Sequence, residues 1–140
     1  MLRDIGGEYG VTTGRPRRCG WLDLVALRYA SQLSGFNSVA ITKLDVLDGF
    51  KELKICVAYD VTRPDGSKFR TTTVPAAYLM ARTEPVYVTM PGWQTPTTEI
   101  RTWEALPKEA KEYLIKLQEF IGAKIKLVSV GARREQTIFV

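Results

Sequence analysis

The amino-acid sequence predicts an α/β fold in which helices flank a mixed sheet. Helical and extended patterns alternate along the chain, and one extended stretch is followed by a turn and a return strand. The composition agrees, because 45% hydrophobic and 25% charged residues are typical of a folded globular protein. At 140 residues the chain is long enough to bury a core, so we expect a single domain over 1–140.

Two segments carry apolar residues at the spacing of an amphipathic helix. The first covers 21–33 and is followed by Gly35, a residue type that commonly ends helices. The second covers 108–120 and ends near Gly122. A shorter helix is predicted over 75–82.

Six extended segments are predicted as strands, and two of them form an antiparallel hairpin. Segment 51–61 places large apolar residues at alternate positions, and Pro64-Asp65-Gly66 is a turn signature before the return strand 69–74. Segment 38–44 is interpreted as a buried strand. The remaining predicted strands are 86–90, 124–130 and 136–140, and segments 1–20 and 94–101 are predicted as loops.

The charged and sulfur-containing residues narrow the classes of function. The net charge is +5 and the chain has no histidine, which excludes a histidine base or histidine metal ligand within it. A modest positive excess favours anionic partners such as nucleotides. Cys19 and Cys56 lie far apart and are expected to be free thiols. No apolar run is long enough to span a bilayer and no signal sequence is recognisable, so we expect a cytoplasmic protein without a membrane partner.

Residues 11–18, Val-Thr-Thr-Gly-Arg-Pro-Arg-Arg, form the segment best suited to a small anion. Gly14 allows the backbone to approach a ligand closely. The arginines offer paired donors that match carboxylate and phosphate, and Thr12 and Thr13 add hydroxyls. On composition alone, a solvated basic loop explains the segment equally well.

A second candidate site is the end of the predicted strand at Thr42–Asp45. A ligand-binding edge commonly forms where the strands of an α/β sheet end. Guanine presents two donors, N1 and the exocyclic amine, and the Asp45 carboxylate is able to accept from both. The aliphatic stem of Lys43 is suited to pack on a base. Asp48 and Gly49 are expected to shape the following turn, and on the tripeptide alone a solvated strand end remains the alternative.

Gly7–Leu24 and Thr42–Asp48, taken together, resemble the adenylosuccinate synthetase family. Further matches are Met90–Trp93 and Ser129–Gly131. The similarity runs in order over the whole chain but covers only the C-terminal part of that longer enzyme. Cys19 and the residues after Trp21 are closer to the eukaryotic members than to the bacterial ones.

The resemblance implies a fold, a reaction and a set of binding residues. The fold is the C-terminal part of a GTP-binding ligase related to the phosphate-loop class. In the family, GTP phosphorylates the 6-oxygen of IMP and aspartate then displaces the phosphate, which forms adenylosuccinate for AMP synthesis. The matching aspartate- and IMP-binding residues are Val11, Thr12, Thr13, Gly14, Arg15 and Arg17. The matching GTP-binding residues are Arg17, Lys43, Leu44, Asp45, Ser129, Val130 and Gly131.

The family's remaining requirements are not recognisable in this sequence. Phosphoryl transfer in the family uses Mg²⁺, a phosphate-cradling glycine loop, a catalytic aspartate and a histidine, all expected in the N-terminal part. We therefore assign no catalytic or metal-binding residue to this chain and predict that it is inactive alone. The full-length enzyme is expected to be a homodimer.

Two alternatives to a ligase fragment stay open. One is a non-catalytic guanine-nucleotide-binding module derived from the same enzyme. The other is a general basic nucleic-acid binder, which the lack of aromatic residues among the arginines disfavours. Pro16, found where many relatives carry arginine or lysine, stiffens the loop. Arg18 and Cys19 are treated as structural, and Trp21 and Trp93 are expected to pack in the core.

Overall fold

The computed structural model describes residues 1–140, which form two separate sheets and two long helices. The helices are α1 (Leu2–Ile5), α2 (Leu24–Ser34) and α3 (Lys108–Ile121). Short 3-10 helices cover Leu44–Leu47, Ala77–Arg82 and Arg134–Gln136. The strands are β1 (Leu22–Asp23), β2 (Ser38–Ile41), β3 (Glu52–Thr62), β4 (Lys68–Thr71), β5 (Thr83–Pro91), β6 (Lys124–Ser129) and β7 (Thr137–Phe139). The α/β class with mixed strand directions is confirmed.

The first sheet is organised around β3. This strand pairs in parallel with β1 and antiparallel with β4 and β5. The antiparallel pairing of β3 with β4 confirms the predicted hairpin. Asp65 caps its turn by accepting from the backbone N–H of Ser67 at 2.9 Å. Leu53 and Ile55 are buried, as the alternating sequence pattern predicts. A register shift between Cys56 and Ala58 breaks the alternation, so both of these residues are buried and Val57 is half-buried.

The second sheet contains β2, β6 and β7. β2 and β6 run parallel with Ile41 opposite Val128, and β7 returns antiparallel to β6. The carboxyl ends of β2 and β6 therefore meet at one edge of the sheet. This pairing brings two sequence segments that are far apart, after 41 and after 128, to the same place.

The main core packs α3 against strands of both sheets. It contains 16 buried residues, including Leu24 of α2, Ile55 of β3 and Val128 of β6. Gly122 adopts the left-handed conformation with φ 74°, which ends α3 and turns the chain into β6. The predicted amphipathic face of α3 is confirmed, and its buried members are Ala110, Tyr113, Leu114, Leu117 and Ile121.

The predicted start of the first long helix at Trp21 is wrong. Leu22–Asp23 instead forms β1 beside β3, and the helix begins at Leu24. Asp23 caps it, because Oδ1 of Asp23 accepts from the backbone N–H of Ala26 at 3.0 Å. Apolar periodicity does not distinguish a helical turn from a two-residue strand, and the cap decides the boundary.

The prediction of a buried strand over 38–44 is also wrong in two respects. β2 is an edge strand with only one face covered: Ser38 and Ala40 are exposed, and Val39 and Ile41 are half-buried. The strand ends at Ile41 because the chain turns at Lys43, whose φ is 58°.

The predicted loop over 1–20 contains one short helix, α1, and an isolated bridge between Tyr9 and Pro16. The short helix over 75–82 is confirmed as the 3-10 helix Ala77–Arg82. None of the helices is both long and apolar enough to cross a membrane. Both thiols are free, with Cys19 exposed and Cys56 buried, as expected.

Candidate functional site

The strand ends of β2 and β6 form the best-defined candidate site. Lys43 follows β2 by two residues, and Ser129 is the last residue of β6. Lys43 has left-handed backbone angles, φ 58° and ψ 40°, which side-chain-bearing residues rarely adopt. Such a conformation is often found at binding sites. It directs the chain into the 3-10 helix Leu44–Leu47, which begins beside the end of β6.

Asp45 carries the most informative side chain at this edge. Its Oδ1 is buried and has no hydrogen-bond partner within the protein. Burial is the main cause that raises the pKa of the Asp45 carboxyl above its usual value, and the charge of Asp48 adds to the effect. A buried carboxylate oxygen without a donor is costly, and a ligand that offers N–H groups would satisfy it.

Leu44 and Val130, both predicted to contact GTP, are core residues. Over the whole residue Leu44 is 1% and Val130 is 0% exposed, so both pack in the core and their side chains are not available to a ligand. The backbone N–H of Val130 already donates to the carbonyl of Gln136 at 2.9 Å. The hydroxyl of Ser129 donates to the carbonyl of Gly131 at 2.8 Å.

Gly131 has a packing reason to be glycine. A Cβ at this position would lie 2.3 Å from the side-chain amide of Gln136. That amide is held in place because its Oε1 accepts from the N–H of Arg133 at 3.0 Å and its Nε2 donates to the carbonyl of Thr98 at 3.1 Å. The turn after β6 is therefore fixed by contacts that the sequence pattern does not reveal.

The segment 11–18 forms an exposed loop. The N–H of Gly14 donates to the carbonyl of Gly10 at 2.8 Å, and Gly14 has φ 65°. Val11 is 97% exposed, and the side chains of Thr12 and Arg15 form no hydrogen bond within the protein. The loop is thus shaped by its backbone, and most of its polar groups are free to bind a ligand.

Glu8 connects this loop to the strand-end site. Nη1 of Arg17 donates to Oε2 of Glu8 at 2.9 Å, and Nζ of Lys43 donates to Oε1 of the same carboxylate. Lys43 also donates to the carbonyl of Gly6 at 2.7 Å. Lys43 and then Arg17 lower the pKa of the Glu8 carboxyl, so it is ionised at neutral pH. The structure therefore brings Arg17 and Lys43 together, whereas residues 11–15 form no hydrogen bond with either strand end.

Asp48 organises the loop that follows β5. Its carboxylate accepts from Nε1 of Trp93 at 2.7 Å, from the N–H of Thr97 at 2.7 Å and from the hydroxyl of Thr97 at 2.9 Å. Trp93 is 5% exposed, which confirms its expected core position. Trp21 packs against the main core with its ring edge-on to Phe50, at 5.7 Å between centroids.

Two residues with central contacts were not singled out by sequence reasoning. Glu8 is a lone acidic residue in a glycine-rich segment, and its partner Lys43 lies 35 residues away. The sequence pattern places Gln136 only in a predicted strand, whereas it ends the 3-10 helix Arg134–Gln136. Neither carries a local signal, because the role of each depends on pairings between distant parts of the chain.

Comparison with known proteins gives a consistent result across the chain. The family model described as adenylosuccinate synthetase matches residues 1–138. Adenylosuccinate synthetase from a Picosynechococcus species is 49% identical over 140 residues, which is 100% of this chain and 31% of the relative. The enzyme of that name from Schizosaccharomyces japonicus is 47% identical over 137 residues, which is 98% of this chain and 31% of the relative.

A solved structure agrees with these relatives. The fully ligated adenylosuccinate synthetase from Plasmodium falciparum superposes with a TM-score of 0.90 and 34% identity, over 99% of this chain and 33% of that chain. The cyanobacterial and fungal identities are nearly equal, so they do not separate the eukaryotic from the bacterial branch. The chain spans about a third of the length of the proteins it matches. This chain belongs to the adenylosuccinate synthetase family.

Proposed function

We propose that this chain supplies the guanine pocket and the aspartate-binding loop of an adenylosuccinate synthetase. The complete reaction joins IMP to L-aspartate with hydrolysis of GTP and forms adenylosuccinate in purine nucleotide synthesis. In this proposal the chain is the C-terminal portion of the enzyme, and its own task is to bind and orient parts of the substrates.

The observation that carries the guanine assignment is the unpartnered, buried Oδ1 of Asp45. Guanine offers two adjacent N–H donors to a carboxylate, and adenine does not. The parallel pairing of β2 and β6 sets Ser129–Gly131 beside the Lys43–Asp45 turn, which supports a pocket with two walls. The side chains of Leu44 and Val130 hold these walls against the core rather than touching the base.

The exposed loop supports binding of a ligand with two carboxylates. Arg15 and Arg17 offer guanidinium groups for a carboxylate or phosphate of aspartate or IMP, and Arg17 also lies near the proposed site of the GTP ribose. The hydroxyls of Thr12 and Thr13 and the backbone of Val11 and Gly14 complete the proposed aspartate site. The unpaired side chain of Arg15 and the left-handed Gly14 are the structural features that support it.

Phosphoryl transfer is assigned to the rest of the enzyme. No group of three or more cysteine, aspartate or glutamate side chains lies close enough together to hold a metal ion. We propose that Mg²⁺, the phosphates of GTP and the catalytic groups are held outside this chain, in a cytoplasmic homodimer. The isolated chain is then expected to have no synthetase activity.

Calorimetric titration with GDP and with ADP tests the guanine assignment. The chain should bind GDP saturably and ADP not at all, and Asp45→Asn should lose the GDP signal because its amide replaces one acceptor with a donor. Asp60→Asn, which removes a carboxylate from β3 in the other sheet, is the matched control and should bind as the unsubstituted chain does. Equal binding of GDP and ADP, or GDP binding that survives in Asp45→Asn, would contradict the assignment.

A further inference from the structure

We propose that Glu8 is a positioning residue that couples the anion-binding loop to the guanine site through simultaneous ion pairs with Arg17 and Lys43. This inference rests on the proposed function, since it assigns Arg17 and Lys43 to ligand binding. Each cation pairs with a different oxygen of one carboxylate, which fixes the cations relative to each other. A groove of about 440 Å³ lies between the two segments, and Glu8, Arg17 and Lys43 line it.

Backbone contacts hold Glu8 beside Arg17, so that its carboxylate lies between the loop 11–18 and Lys43. The N–H of Arg17 donates to the carbonyl of Glu8 at 2.9 Å, so the two residues are held side by side independently of their side chains. Nε of Arg3, in α1, donates to the carbonyl of Arg17 at 2.8 Å. Lys43, two residues after β2, donates to the same carboxylate and to the carbonyl of Gly6. Movement of either segment would break one of the two ion pairs that Glu8 makes.

Stability alone does not account for the arrangement. The Glu8 side chain is 25% exposed and those of Arg17 and Lys43 are about half exposed, and ion pairs between exposed groups stabilise a fold only weakly. The arrangement does affect binding geometry. Arg17 uses one guanidinium N–H on Glu8 and has others available for an anion. One Glu8 charge against two cations leaves the groove with a positive excess, which suits a nucleotide ligand.

Amide spectra of the chain and of Glu8→Gln provide the decisive test. Removing the charge should shift the amide signals of 15–17 and also those of 43–46, although the segments are distant in sequence. Lys43→Met should shift the signal of Arg17 in the original chain but not in the Glu8→Gln background, because the carboxylate transmits the effect. Glu112→Gln breaks a comparable exposed pair with Lys108 on α3 and is the matched control. Two outcomes would overturn the coupling. One is a set of signal shifts confined to residues next to Glu8 in sequence, and the other is an effect of Lys43→Met on the Arg17 signal that persists in the Glu8→Gln background.

GDP affinity and thermal stability show whether the coupling positions a ligand. Glu8→Gln should bind GDP about fivefold more weakly, with a melting temperature close to that of the original chain. Unchanged affinity in Glu8→Gln would overturn the positioning role. If the unsubstituted chain binds no GDP, the proposed guanine site fails, and the spectral comparison still decides the coupling on its own.

Discussion

The strand-end site and the exposed loop 11–18 represent two ways to build a binding surface. At the strand ends, Leu44 and Val130 are core residues, and the atoms available to a ligand lie directly on that packed framework. In the loop, Val11 and Thr12 are exposed and the conformation depends on backbone bonds and on Glu8. The comparison indicates that the strand-end side of the site, the proposed guanine pocket, is formed by folding itself, whereas the loop is held by a few contacts that each contribute little energy.

The two regions should differ in whether stability and ligand binding change together. A substitution at the strand ends is expected to change both, because the same residues support the core and the ligand. A substitution in the loop should change binding alone. The expected effects therefore range from large losses of stability near Asp48 to almost none at Thr12.

Among the polar substitutions, Asp48→Ala should cause the largest change in stability. It leaves buried donors of Trp93 and Thr97 without an acceptor, and we expect a loss of about 3 kcal/mol in the free energy of unfolding. Urea unfolding followed by tryptophan fluorescence measures it. Asp60→Ala, which removes an exposed ion pair with Arg70, is the control and should cost less than about 1 kcal/mol. Equal losses in the two variants would show that the Asp48 contacts do not support the strand-end site.

Much of the framework behind this prediction is readable from the sequence. The hairpin, α3 and β6 are confirmed as elements, and in α3 the apolar period also agrees with the buried face. In the two strands the strict alternation fails, since Cys56 is buried beside Ile55 in β3 and Val128 rather than Leu127 is buried in β6. The boundaries at Trp21 and Leu44 are not readable, since pairing of β1 with β3 and the left-handed Lys43 decide them. Local patterns predict elements well where tertiary contacts do not override them.

The candidate site is predicted less completely than the fold. Asp45 is predicted to bind guanine because a carboxylate at a strand end fits the two donors of that base; its unpartnered oxygen is consistent with this role, which stays a prediction. The roles of Glu8 and Gln136 arise only from contacts between distant segments. The aspartate-binding role of 11–17 comes from family resemblance, and it stays a prediction.

Asp45→Asn should change the free energy of unfolding less than Asp48→Ala does, and in the opposite direction. In the absence of ligand, removing the buried negative charge should stabilise the chain by about 1 kcal/mol near neutral pH. Because the folded-state pKa of Asp45 is raised, its ionised form costs stability above that pKa, and the cost disappears as the carboxyl takes up a proton on acidification. Unfolding at neutral pH and near the usual carboxyl pKa should therefore show the advantage of Asp45→Asn shrinking at the lower pH. An advantage that is constant with pH would show that the carboxylate is not desolvated.

Thr12→Ala should have the smallest effect on stability and gives the sharpest test of the comparison. The Thr12 side chain is exposed and forms no hydrogen bond within the protein, so the free energy of unfolding should change by less than about 0.5 kcal/mol. Leu44→Ala, at the strand ends, should lose about 3 kcal/mol in the same urea titration because it removes a buried core side chain. If Thr12→Ala instead loses more than about 1 kcal/mol, the loop is part of the cooperative core and both halves of the site are formed by folding.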